Sequence, residues 1–244
     1  MTRDSLGDRM KSQYEDRARF LLPRRTYTVI RCDGKAFHTF TRRCDKPYDY
    51  RLSNAMVDAA VALCEEAQGC CFGYLQSDEI SVVLQDFATI HTCAWFDGNV
   101  QKIASVAAST VSAAFNRSFY QSGPDPDGPP AVFDARVFTI PDPVEVENYF
   151  IWRQQDATRN SVQSMAQAHF SPKQLHGQSQ SDLHELLHGI GLNWNDCPVR
   201  EKRGVGIVRS ERGWATDLEI PVWTQDRAWL TERIPRIWPV EEQP

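Results

Sequence analysis

The sequence predicts an α+β protein, in which helices pack on a ferredoxin-like antiparallel sheet and a helical and strand extension follows at the C-terminus. The predicted elements run in the order strand, helix, hairpin, helix, strand, which is the split β-α-β order of that sheet. The chain has 244 residues, of which 41% are hydrophobic, so it can bury a sizeable core. We expect a single domain over residues 1–244, with the sheet core at about 20–140 and a helical and tail region at about 141–244.

The first half of the sheet begins with "TYTVIRC", a β-branched and aromatic run that predicts a strand at about 26–32. The "DG" that follows predicts a sharp turn. Apolar residues at helical spacing predict a helix from Asp49 to Gln68, which Gly69 ends. "CCFGYL" and "EISVVL" then predict a hairpin that turns at "QSD".

The second half begins with an amphipathic helix in "NVQKIASVAASTVSAAFNRSF". The proline- and glycine-rich "YQSGPDPDGPPA" predicts a disordered loop, and "VFDARVFTI" predicts the next strand. A long helix is predicted from about Pro143 to His169. A short helix "LHELLHGIG", a strand "GVGIVR" and a tryptophan-rich tail complete the extension.

Composition argues against several classes of protein. No apolar run is long enough to span a membrane, and the N-terminal stretch lacks the apolar segment of a secretory signal. The seven cysteines include no C-x-x-C pair, so neither a zinc site nor a disulfide framework is indicated. We therefore expect a cytoplasmic protein with no membrane partner. The net charge of −5 means that any contact with nucleic acid needs a local basic face, such as Arg200, Lys202 and Arg203.

Two adjacent carboxylates interrupt the apolar hairpin. Asp78 and Glu79 lie in "YLQSDEISVVL", where an unpaired buried carboxylate is costly. The predicted topology sets the first strand beside the hairpin, so Asp33 approaches both of them. Three converging carboxylates predict a site for Mg²⁺ or Mn²⁺, and two such ions can activate a hydroxyl and stabilise a leaving oxygen in phosphoryl transfer.

The residues around Asp33 suit a phosphate ligand. Gly34 allows close backbone approach and can offer its carbonyl to a metal. Lysines that could neutralise a triphosphate are Lys35, Lys46 and Lys102. Taken singly, "DG" is an ordinary turn and Asp78-Glu79 a solvated hairpin tip. Their predicted adjacency favours the metal site.

Five ordered motifs carry a family resemblance. "RCDGKAFHTF" with "KPYD", "YLQSDEISVVL", "FDARV", "WRQQDATRNS" and "KRGVGIV" resemble the motifs of the tRNA-His guanylyltransferase family over roughly residues 10–210. The resemblance implies a polymerase-like palm that adds nucleotides to the 5′ end of tRNA. ATP first adenylylates a 5′-monophosphate, and the 3′-hydroxyl of GTP or another nucleotide then displaces AMP. It also implies a homotetramer, as a dimer of dimers.

The resemblance also implies roles for individual residues. Asp33, Gly34 and Asp78 match the ligands of two Mg²⁺ ions, and Glu79 matches an adjacent acidic residue that activity requires. The implied nucleotide-binding residues are Arg31, Asp33, Gly34, Lys35, Ala36, Phe37, His38, Lys46, Ser77, Asp78, Lys102 and Asn160. The residues expected to face RNA are Arg153, Gln154, Arg159, Lys202 and Arg203.

One departure bears on the substrate. Thr158, Arg159, Asn160 and Ser161 stand where eukaryotic members carry H-I-N-N. The chain therefore looks more like the bacterial and archaeal guanylyltransferase-like branch, which repairs shortened tRNA 5′ ends against a template. Alternatives are guanylate addition to tRNA(His) as the main role, a nucleotide cyclase-like enzyme, and a non-catalytic RNA-binding palm.

Three further groups of side chains are expected to be structural. His184 and His188 are spaced as a possible metal pair on a helix, but no third ligand is evident. Trp152 is expected in the core, with Arg153 on the helix surface. The tail tryptophans, which include Trp223, could stack on RNA bases, but packing against the body is favoured.

Overall fold

The computed structural model describes residues 5–121 and 128–236. Its strands form one antiparallel sheet in the order β4-β1-β3-β2-β5-β6. The strands are β1 (Tyr27–Gly34), β2 (Cys70–Gln76), β3 (Glu79–Leu84), β4 (Phe133–Ile140), β5 (Val205–Ser210) and β6 (Gly213–Asp217). The first four strands have the order and direction predicted for a ferredoxin-like sheet, and the fold class is confirmed.

The helices lie before, between and after these strands along the chain. They are α1 (Leu6–Met10), α2 (Phe37–Phe40), α3 (Tyr50–Glu66), α4 (Val100–Gln121), α5 (Pro143–His169), α6 (Pro172–Leu175), α7 (Gln180–Gly189), α8 (Val199–Arg203) and α9 (Ala228–Thr231). The α5 bounds are those predicted, because Asp142 caps the first turn and Pro143 fits the first helical position. Within the described residues, none of the helices is both long and apolar enough to cross a membrane.

One face of the sheet packs against α3 and α4. Alternate residues of β1 and β3, including Ile30, Cys32 and Ile80, are fully buried there. They contact a helical layer that contains Leu63 and Phe115. The sequence predicts helices packed on the sheet, and α3 and α4 are those helices.

The opposite face is also covered, which the sequence reasoning did not anticipate. Tyr27, Phe72 and Tyr74 pack there against Phe150 of α5 and Trp223 of the tail. Trp223 is fully buried, and its ring centroid lies 4.9 Å from that of Tyr74. The expected packing of the tail tryptophans is therefore confirmed for Trp223. Trp238 lies outside the described residues.

Two other expectations concern less regular segments. Of the proline- and glycine-rich loop expected to be disordered, residues 122–127 lie outside the described residues. Strand β6 was not predicted, because "GWATD" is short and polar and pairs only at the sheet edge beside β5. His184 lies on α7 with its ring 5.5 Å from Trp194, which agrees with a structural role.

Candidate active site

The end of β1 meets the β2–β3 turn, as the sequence predicts. Asp33 is paired in register with Glu79, and the Gly34 N–H donates to the Asp78 carbonyl over 3.2 Å. A Cβ atom at Gly34 would lie 2.3 Å from Cδ2 of Phe37. The position therefore needs glycine, because Phe37 packs directly over the strand end.

Glu79 is neutralised by arginines. Its two carboxylate oxygens accept from Nε and Nη2 of Arg153 at 2.7 and 2.6 Å, and the Nε of Arg31 lies 3.7 Å away. Glu79 is only 6% exposed. In residues 5–121 and 128–236 no three acidic, histidine or cysteine side chains form a metal-binding group. This corrects the expected cluster of three carboxylates and leaves Asp33 and Asp78 as the candidate pair.

The remaining two carboxylates are held where their charge is unfavourable. Burial raises the pKa of Asp78 to about 6, and the charges of Asp33 and Glu79 add to this. Burial also raises the pKa of Asp33, with Arg31 opposing and Asp134 of the neighbouring strand contributing. A divalent cation would offset both effects, and oxygen ligands of this kind are what Mg²⁺ prefers. The side chains present thus fit the implied metal.

A cavity of about 160 Å³ opens on the Asp78 side of this pair. It lies between the sheet, the loop before α3, and helices α5 and α8. Six of the predicted site residues line it: Phe37, Ser77, Asp78, Asn160, Lys202 and Arg203. Lys46 is exposed and immediately precedes Pro47, which also lines the cavity, while Lys35, Ala36 and His38 are exposed around the start of α2.

Lys102 does not line this cavity. It lies in the first turn of α4, where the Val100 N–H donates to Phe20, before β1 begins. The other half of the helix reaches the site, since Ser112 accepts from the backbone of Phe133, the residue paired with Gly34. Ser112 is ten residues after Lys102, a rise of about 15 Å along the helix. Lys102 therefore lies toward the end of α4 that is away from the Phe133 contact, and its part in binding the triphosphate stays a prediction.

The inward-facing and outward-facing residues of the Trp-Arg-Gln stretch of α5 are the reverse of those predicted. Trp152 is 48% exposed, whereas Arg153 and Gln154 are 6% and 4% exposed. The Gln154 side-chain amide donates to the Pro221 carbonyl and accepts from the backbone N–H of Trp223, each over 2.9 Å. Arg153 and Gln154 face inward because they lie three and four residues after buried Phe150. Their polar atoms are used inside the fold, which corrects their assignment as RNA-facing residues.

Arg159 keeps its expected exposure. Its side chain is 60% exposed and pairs with Asp156 at 2.7 Å. Asp156 also pairs with Arg153 at 3.1 Å. A chain of charges therefore connects buried Glu79 with the outer surface of α5.

Sequence reasoning missed three acidic residues near the site. Asp134 pairs with Asp33 across β4 and β1, and the quoted "FDARV" contained it without suggesting a role. Asp49 and Glu201 line the cavity. Asp49 belongs to "KPYD", where it caps α3, but no pattern in the sequence singles out Glu201.

The comparisons with known proteins agree with this geometry. A family model described as "Thg1: tRNAHis guanylyltransferase" matches residues 7–141, more than half of the chain. The chain belongs to the tRNA-His guanylyltransferase family. A tRNA(His) guanylyltransferase of Debaryomyces hansenii is 30% identical over 221 residues, covering 82% of this chain and 81% of that protein. Family membership makes the chain a nucleotidyltransferase.

Solved structures place it near the bacterial members of the family. A bacterial tRNA(His) guanylyltransferase (Thg1)-like protein in complex with ATP is 42% identical, with a TM-score of 0.89 over 94% of this chain and 99% of that one. A similar protein in complex with GTP is 39% identical, with a TM-score of 0.81 and the same coverage. The resemblance to the family and to its bacterial guanylyltransferase-like branch is confirmed.

The Asp78→Asn variant is expected to be more stable than the wild type at pH 7.5 by about 1–3 kcal/mol. Because the pKa of Asp78 is raised from 3.8 to about 6, its contribution to stability is full below pH 3.8 and is lost as the pH rises through about 6. Urea unfolding at pH 3.5 and 7.5 measures the difference. The stability difference between Asp78→Asn and the wild type should nearly vanish at pH 3.5. The matched control is Asp16→Asn, which replaces an exposed aspartate. A gain of the same size at both pH values would contradict the assignment.

Proposed function

We propose that this chain is a Mg²⁺-dependent enzyme that extends tRNA at its 5′ end in the 3′–5′ direction. ATP activates a 5′-monophosphate, and the 3′-hydroxyl of the incoming nucleotide then displaces AMP. The observation that carries the proposal is the cavity that Asp78 lines. Asp33, at the end of β1, is paired in register with Glu79, the residue that follows Asp78. The resemblance to the tRNA-His guanylyltransferase family favours a homotetramer that acts on the tRNA acceptor stem.

Asp33, Asp78 and the Gly34 carbonyl would hold the Mg²⁺ ions, with Mn²⁺ as a possible replacement. Within the described residues two carboxylates would hold the ions, so phosphate oxygens of the nucleotide and water would complete the ligand set. When bound, the ions lower the pKa of the attacking hydroxyl and stabilise the leaving oxygen. Glu79 contributes by its position, because its carboxylate lies between Arg153 and Arg31 and directly follows Asp78 in the chain.

The cavity suits a nucleoside triphosphate. Its wall combines apolar side chains, such as Leu52 and Met56, with the hydroxyl of Ser77 and the amide of Asn160. Lys202 lines the cavity and Lys46 lies at its edge, so both can neutralise phosphates. Complexes of similar bacterial proteins with ATP and with GTP support either nucleotide as a ligand.

Repair against a template is the role we favour. Arg159 and Asn160 are the exposed members of the stretch that replaces H-I-N-N, and an arginine there can bind backbone phosphate without reading a base. Contacts of this kind tolerate many tRNAs. Selection of the added nucleotide then depends on pairing with the opposite base of the acceptor stem.

Nucleotide addition is expected to follow Watson–Crick pairing across a panel of 5′-monophosphorylated tRNAs that lack their first nucleotide. The panel presents each of the four bases opposite the gap, with all four labelled nucleotides and Mg²⁺. Omission of ATP should stop the reaction, unless the tRNA carries a 5′-triphosphate whose pyrophosphate can leave. Addition of guanylate whatever the opposing base, and only to tRNA(His), would support the alternative role. Absence of any 5′ addition would overturn the proposal.

A further inference from the structure

One carboxylate in the wall of the cavity has no part in the chemistry proposed above. Glu201 lies on α8, lines the cavity, and has a side chain that is 10% exposed. Its Oε1 is buried and accepts no hydrogen bond from residues 5–121 or 128–236, although the Nε of Arg200 lies 3.4 Å away. Its Oε2 also has no hydrogen-bond partner among those residues, but it is not buried. A ligand in the cavity can therefore reach this carboxylate.

The position of Glu201 is fixed by contacts on two sides of α8. The Ser161 hydroxyl of α5 donates to the backbone carbonyl of Glu201 over 2.6 Å, and the Trp194 indole N–H donates to the same hydroxyl over 3.0 Å. On the other side, Nη2 of Arg200 donates to the side-chain oxygen of Asn54 on α3 over 3.4 Å. Glu201 is therefore held in place between α5 and α3, as a residue that discriminates between ligands must be.

The surroundings of this carboxylate favour a ligand that brings N–H donors. Burial raises the pKa of Glu201, and the charge of Arg200 opposes this effect. Hydrogen bonds donated to the ionised form would offset the burial further, because they stabilise the charge where water does not.

The charge of Glu201 determines which part of a nucleotide it can contact. A carboxylate repels phosphates, and these are expected at Asp78, where the proposed metal ions and exposed Lys46 offset their charge. The base then extends away from Asp78. Leu52 and Met56 line the same cavity and provide apolar surfaces for the faces of a base. The edge of the base, which carries its N–H groups, is left for Glu201.

Among the four RNA bases, guanine has the edge that matches a carboxylate best. Its N1–H and its exocyclic N2 amino group are adjacent donors, so one carboxylate can accept from both. Adenine and cytosine each have an acceptor nitrogen beside the amino group, and uracil has a carbonyl on each side of its N–H. Those acceptors repel a carboxylate.

We infer that Glu201 binds the base of the nucleotide in the cavity and favours guanine, by accepting from its N1–H and its N2 amino group. The inference rests on the proposed function and adds to it the preferred nucleotide. ATP binds in the same cavity less tightly, because its base offers a single donor group at that edge. The preference concerns binding of the free nucleotide, whereas pairing with the opposite base of the acceptor stem selects which bound nucleotide is added.

The test measures binding of GTP, inosine triphosphate and ATP in Mg²⁺ without RNA, by isothermal titration calorimetry. Inosine triphosphate keeps the N1–H of GTP but lacks the N2 amino group, so the wild type should bind it about tenfold more weakly than GTP. Glu201→Gln should weaken GTP binding about 10- to 100-fold, because an amide has one acceptor oxygen and no charge. GTP and inosine triphosphate should then bind nearly equally, and ATP binding should not weaken.

The control variant is Glu185→Gln, which replaces an exposed glutamate on α7 and should keep wild-type affinities. Urea unfolding checks that Glu201→Gln is folded. The inference is overturned if the GTP-to-inosine triphosphate ratio is unchanged in Glu201→Gln, or if GTP and ATP lose affinity equally, since an equal loss would mean that Glu201 only supports the wall of the cavity. Equal binding of GTP and inosine triphosphate by the wild type would also overturn it.

These outcomes leave the proposed function intact when the wild type still extends tRNA. Conversely, a guanine preference that depends on Glu201 in a protein that never extends tRNA would overturn the proposed reaction and retain the base site.

Discussion

The Asp33→Asn enzyme is expected to add nucleotides at least about 1,000-fold more slowly than the wild type while remaining folded. The substitution leaves one carboxylate where the proposed metal ions need two, because Glu79 is already bound to Arg153 at both oxygens. Loss of the ions removes several kcal/mol of charge stabilisation from the transition state, and each 1.36 kcal/mol is a tenfold change in rate. Single-turnover addition to a 5′-shortened tRNA measures the effect.

Stability separates loss of catalysis from loss of structure. The pKa of Asp33 is raised in the fold, chiefly by burial, so Asp33→Asn should unfold at no lower urea concentration than the wild type near neutral pH. Asp134→Asn is the matched variant, because it removes an acidic side chain from the paired position on β4. It should keep most of the activity. Wild-type rates in folded Asp33→Asn would exclude Asp33 as a metal ligand.

Arg153→Met is expected to lower the free energy of unfolding by about 3–5 kcal/mol, because it leaves the buried carboxylate of Glu79 without its main partner. The two side chains are 7% and 8% exposed, so water cannot replace the lost guanidinium. Urea denaturation measures the change. Arg159→Met is the matched control, since this exposed arginine belongs to a surface pair and should cost less than about 1 kcal/mol.

A second substitution tests whether the cost comes from the unpaired charge. The Arg153→Met, Glu79→Leu double variant should recover most of the lost stability, because it buries two apolar side chains in place of the ion pair. The double variant should be inactive if the carboxylate of Glu79 is needed beside the metal ligands. Equal stability of the single and double variants would mean that Glu79 carries no unpaired charge in Arg153→Met.

Strand order was predictable because it depends on short-range patterns. The apolar runs, the "DG" turn and the hairpin were enough to bring Asp33 next to Glu79, and the register confirms that pairing. Side-chain partners depend on residues far apart in the sequence. The charge of Glu79 is cancelled by Arg153, 74 residues later, and no local pattern indicates that contact.

Two other differences between the predicted and the observed positions of side chains follow from helix geometry. A motif match assigns a residue type to a position but does not say which end of a helix reaches the end of β1. The match therefore did not indicate that Lys102 lies in the first turn of α4, whereas Ser112, further along, is bonded to the start of β4. On α5, an error of one residue in the inward-facing positions exchanges Trp152 with Arg153. The burial of Phe150 against Phe72, with ring centroids 4.6 Å apart, determines that phase.

The double-sided core has a consequence for the order in which the chain folds as the ribosome releases it. The α3 and α4 side is built within residues 22–137, together with Val205 and Ile207 of β5 and Trp214 of β6, so most of it can form early in synthesis. The other side joins Tyr27 and Phe72 to Ile220, Trp223 and Leu230. Contacts over such distances form late. A nascent chain would therefore leave the part of this face that the tail covers, including Phe72 and Tyr74, exposed until Trp223 and Leu230 emerge, an interval in which chaperone binding competes with aggregation.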